Sequence, residues 1–65
     1  MDSDILKARM LENHVRAPQL AEALHLSPQA VYKKINGHSV ITVGEFFTIR
    51  DMLKLSEEDC RKIFI

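Results

Sequence analysis

Leu20, Ala21 and Leu24 lie at the spacing of one helical face, and Ala30, Val31 and Ile35 repeat it a few residues later. Positions three and four apart share a side of a helix with 3.6 residues per turn, so two short amphipathic helices are predicted. The turn between them is too short to let them run antiparallel. Ser27 is a side-chain cap for the second helix, Pro28 suits its first position, and Gly37 can take the left-handed conformation that ends it. This helix is predicted over residues 28–36, and the one before it starts near Ala17 or Pro18. Upstream, a helix is expected from about Asp4 to Glu12, with Ser3 as cap, Leu6 and Met10 facing inward, and Leu11 as a further inward candidate. Asn13 and His14 suit a left-handed stop. Downstream, Thr42-Val43-Gly44-Glu45 has the form of a capping box and opens a helix carrying Phe46, Ile49 and Leu53. Ser56-Glu57-Glu58-Asp59 repeats the device before Cys60, Ile63 and Phe64. No strand alternation, internal repeat, linker or low-complexity segment interrupts the pattern, which predicts an all-α fold.

The 65 residues make one expected domain, 1–65, near the lower size limit for a self-sufficient core. A single core of this size rarely supplies more than about 3–5 kcal/mol net, so pairing with a second copy would add useful burial. A deep enzyme cleft is not expected, and the chain is read as a non-enzyme. The one cysteine, Cys60, allows neither an internal disulfide nor a zinc framework, which fits a reducing interior. The acidic start Met1-Asp2-Ser3-Asp4 lacks the features of a secretory signal, and no apolar run approaches the roughly 20 residues that span a bilayer. The expected location is the cytoplasm, away from membranes.

Two helices, a tight turn and sharp stops form a helix-turn-helix candidate, a unit whose second helix can enter the DNA major groove. Leu20-Ala21, Ala30-Val31 and Ile35-Asn36-Gly37 resemble the DNA-binding domains of lambda-type phage repressors and Cro-like regulators. Lys34-Ile35-Asn36-Gly37 is most similar to short phage or prophage regulators. The resemblance runs over nearly the whole chain. It implies a compact five-helix domain that binds double-stranded DNA without a cofactor and regulates transcription. By that resemblance, Pro28, Gln29, Tyr32 and Lys33 are the base-contacting positions. A glutamine early in such a helix can pair with adenine N6 and N7, a contact worth roughly 1–3 kcal/mol against a wrong base. Lys33 shares its face and reaches either guanine or a phosphate; Tyr32 packs on a thymine methyl, donates its hydroxyl to a phosphate, or covers the edge of the core. Phosphate contacts are expected from Arg16, Gln19, Lys34, Asn36, Gly37, His38 and Ser39, with the N–H groups of residues 37–39 as donors. Lys34 otherwise serves as a solubilising charge. One short helix cannot turn Ile63, Phe64 and Ile65 all into its own core. In the resembling proteins this end helps form a two-fold interface, so a homodimer is expected with recognition helices about 34 Å apart.

Three positions depart from the family pattern. Ala17 and Pro28 stand where glutamines are common, and His25 stands where the turn usually has glycine. Half of the usual polar readout is therefore missing, and His25 would have to adopt a left-handed conformation.

Charge adds a qualification. Nine Lys and Arg balance nine Asp and Glu, and a neutral chain lacks the basic excess typical of nucleic-acid binders. The distribution is uneven: residues 14–38 hold Arg16, Lys33 and Lys34 against Glu22 alone, together with His14, His25 and His38. Sums this small also arise without function. A protein-interaction module that docks on a second regulator, or an antitoxin, therefore stand as alternatives. The histidines lack the three-or-four spacing of helical metal ligands and read as turn residues. Cys60 reads as a small buried apolar residue, and Glu57-Glu58-Asp59 as first-turn carboxylates that complement a helix dipole.

Overall fold

Local capping accounts for most helix boundaries in the computed structural model, which describes residues 1–64. Five helices and no strand are present among them: α1 (Ser3–Glu12), α2 (Ala17–Leu24), α3 (Pro28–Ile35), α4 (Val43–Leu53) and α5 (Glu57–Phe64). α1 begins one residue before the expected start, because Asp2 rather than Ser3 is its cap. The Asp2 carboxylate accepts from the N–H groups of Asp4 and Ile5 at 3.1 and 3.2 Å. Its own N–H donates to the Ile63 carbonyl at 3.0 Å, so a contact with α5 holds the capping residue in place. Thr42 and Glu45 form the expected capping box, and Ser56 and Asp59 exchange the same pair of bonds.

Four helices end on a common device. Val15 donates to the Met10 carbonyl, Leu26 to Ala21, His38 to Lys33 and Leu55 to Arg50. Each bond closes a Schellman turn and needs a left-handed residue just before the donor. Those residues are His14, His25, Gly37 and Lys54. Asn13 is not left-handed, contrary to expectation. It stays near φ −95°, and its side-chain amide donates to the carbonyls of Arg9 and Leu53.

All five helices contribute to one core, in which Leu6, Leu20, Val31, Ile49, Leu53 and Ile63 are almost fully buried. α2 packs on α3 and α4, while α1 packs on α3 and α5. Leu11 is 79 % exposed, a correction to its inward placement. It lies about 140° around α1 from Leu6, so a helix that buries Leu6 and Met10 turns Leu11 outward.

A second correction concerns the expected dimer surface. Ile63 is fully buried and so cannot also serve an interface, and Phe64 is half-buried with its ring edge-on to Phe46 at 4.8 Å. Ile65 lies outside the described residues. The exposed apolar side chains nearby are instead Val40, Val43 and Phe47, on the loop before α4 and its first turns. No helix among the described residues is long and apolar enough to cross a membrane.

Candidate nucleic-acid interface

α3 is anchored on one side and open on the other. Val31 and Ile35 are buried, and the Ser27 hydroxyl accepts from the Ala30 N–H at 3.2 Å. The turn before the helix is fixed by His25, which adopts the left-handed conformation (φ 57°) in the place where glycine would be easier. Pro28, Gln29, Tyr32 and Lys33 are all exposed. The side chains of Gln29, Tyr32 and Lys33 make no hydrogen bond or ion pair among the described residues, so their polar atoms are open to a partner. Tyr32 stands 52 % exposed, which disfavours the alternative that it seals the core.

Lys34, one residue further round, departs from its expected role. Its ammonium donates to the Val40 carbonyl at 2.7 Å and pairs with Glu45 at 3.0 Å, in a setting where both side chains are largely buried. The same Glu45 oxygen accepts the Thr42 N–H, and this backbone bond, ahead of Lys34, holds the Glu45 carboxyl below its ordinary value. Lys34 is thus a strap across the loop of residues 36–42 rather than a free cation for phosphate.

Within that loop Asn36, Gly37, His38 and Ser39 are exposed as expected. The expected amide donors are partly spent, however. The Gly37 N–H donates to Lys34 and the His38 N–H to Lys33, because both close the Schellman turn that ends α3. What remains for a phosphate is the Asn36 side chain, the His38 ring, and the N–H and hydroxyl of Ser39.

At the start of α2 the Gln19 side-chain oxygen accepts from the Arg16 N–H at 2.7 Å. That bond orients Gln19 and leaves its amino group free to donate outward. Arg16 supplies no cap in return, since a guanidinium has no acceptor. Ala17 is buried and Pro18 lacks an N–H, so any anion here would be held by the side chains of Arg16 and Gln19 more than by backbone amides.

Among the described residues the carboxylates of Asp2, Asp4 and Glu22 lie outside the ion pairs, and so do four of the cations. Arg9, Lys34, Arg50, Arg61 and Lys62 are all paired with carboxylates, which leaves Lys7, Arg16, Lys33 and Lys54 without an ion-pair partner among the described residues. Lys7 and Arg16 line one groove together with Tyr32 and Asn36. Lys7 is not among the residues the sequence predicts for this face. It belongs to α1, and only the packing of α1 against α3 brings it there. The chain matches no protein-family model, no curated protein and no solved structure.

Proposed function

We propose that the chain is a sequence-specific DNA-binding regulator of transcription, with α2 and α3 acting as a helix-turn-helix of the lambda-repressor type. The observation that supports this most is the two-sidedness of α3. Its inner side is pinned by Val31 and Ile35, while Gln29, Tyr32 and Lys33 are exposed and their side chains make no hydrogen bond or ion pair among the described residues. Gln29 and Lys33 read base edges, and Arg16, Gln19, Ser39 and Lys7 grip the phosphates on either side. Lys34 holds the loop that carries Ser39. Occupation of the site would block transcription, and no cofactor is required.

Selection of bound duplexes from a random pool tests the proposal. A single preferred site is expected, and Gln29→Ala should relax preference at one base pair while costing roughly 1–3 kcal/mol on the best sequence. Equal losses on every sequence would remove the readout role. With Lys7 and Arg16 as the charged phosphate contacts, affinity should fall about 12-fold per subunit between about 50 and 200 mM salt.

A homodimer is the expected binding form, through Phe64 and the exposed Val40, Val43 and Phe47 in place of Ile63. The same apolar surface also supports a second reading, a module that docks on another regulator protein. Binding that is insensitive to salt and independent of DNA would favour it.

A further inference from the structure

An open trough of about 520 Å³ runs between α1, the start of α2 and α3. Met10 forms part of its buried floor, and Leu11, Val15 and Tyr32 line it as accessible apolar surface. Leu11 stands out because a leucine 79 % exposed gains nothing for the fold. Lys7 and Arg16 also line the trough, both exposed and both without a carboxylate partner, and no Asp or Glu lines it. An apolar channel flanked by unneutralised cations is complementary to a ligand that is apolar on one side and acidic beside it. Small-molecule sites enclose most of their ligand, which an open trough does not do. A helix that presents apolar anchors three or four residues apart can cover an open surface that carries Leu11, Val15 and Tyr32. A phosphate backbone would use Lys7 and Arg16 but has no group to cover Leu11 or Val15.

We infer that this trough is the docking site of an acidic amphipathic helix from a partner protein. We further infer that this helix and duplex DNA exclude one another, since both need Lys7 and Arg16. The exclusion rests on the assignment of α3 proposed above; the docking site does not.

The probe is a fluorescent helical peptide of about 15 residues, with leucines four apart on one face and glutamates beside them. Its anisotropy is measured against the whole chain without DNA. Saturable binding is expected, weakened about tenfold or more by Leu11→Ser, by Lys7→Glu with Arg16→Glu, and by scrambling the peptide. Leu11→Ser should leave duplex affinity unchanged and lower the melting temperature by no more than a few degrees, because the side chain is neither in the core nor in the proposed readout and only its helix propensity is lost. Equal binding of the scrambled peptide, or indifference to Leu11→Ser, overturns the docking site by reducing it to charge alone. In competition, the peptide should displace a duplex selected by the chain, and a stable ternary complex would overturn the exclusion. If the chain selects no duplex, the assignment of α3 and the exclusion both fall, while the anisotropy arm still decides the trough.

Discussion

Individual residues in this chain are chosen as much for where helices stop as for what they bury. Three of the four left-handed positions, His14, His25 and Lys54, are not glycine. A side chain in that conformation costs roughly 1–2 kcal/mol, partly offset because glycine would loosen the unfolded chain by about 0.5–1 kcal/mol. Lys54 is exposed and without an ion-pair partner among the described residues, so it isolates this balance. Lys54→Gly should stabilise the protein by about 0.5–1 kcal/mol, which for a domain of this size raises the melting temperature by a few degrees. A thermal melt that stays level or falls would show that the Lys54 side chain supports α4 in some other way. The same balance explains why His25 can stand at the turn before α3: the Leu26 bond to Ala21 needs the backbone shape, not the glycine.

Among the elements, the loop between α3 and α4 is the one whose behaviour depends most on a single side chain. Lys34 joins it to α4 through the Val40 carbonyl and Glu45, and its aliphatic stem is buried. Lys34→Met keeps the stem and removes the charge. The expected results are a loss of about 1–2 kcal/mol and faster hydrogen exchange at the amides of residues 38–42. If the chain binds DNA as proposed, its affinity should weaken evenly across sequences with the salt slope unchanged. A direct phosphate contact would instead lower that slope by about 1, and such a result would return Lys34 to the role its sequence position suggests.

At the scale of the molecule, the two ends of the chain hold each other. Arg9 on α1 grips Asp59 on α5 with two parallel hydrogen bonds of 3.0 Å, and the Asp2 N–H reaches the Ile63 carbonyl. Chiefly through the Arg9 hydrogen bonds, the Asp59 carboxyl is lowered from 3.8 to about 2. A carboxyl that titrates lower in the folded than in the unfolded state contributes stability in full above the unfolded value and loses it as pH falls through the folded one. Stability should therefore decline between about pH 4 and pH 2, and Asp59→Asn should flatten that part of an acid-unfolding curve. Equal acid sensitivity in the variant would assign the decline to other carboxylates, Glu45 first.

Most of the helical content was legible from local pattern. Spacing and capping residues depend on neighbours within one turn, and so α2, α3, α4 and α5 begin where Ser27, Thr42, Ser56 and the apolar positions indicate. The exposed group Gln29, Tyr32 and Lys33 follows from the same periodicity, because burying Val31 and Ile35 leaves that side of α3 outward. What packing alone decided are the competitions between local options. Asp2 outranks Ser3 because α5 secures it, Ile63 enters the core instead of an interface, and Lys34 turns to a carbonyl and a carboxylate that lie 6 and 11 positions along the chain. The trough beside Lys7 and Leu11 belongs with these. It joins residues of three helices, and no window of sequence short enough to show a helical period holds them all.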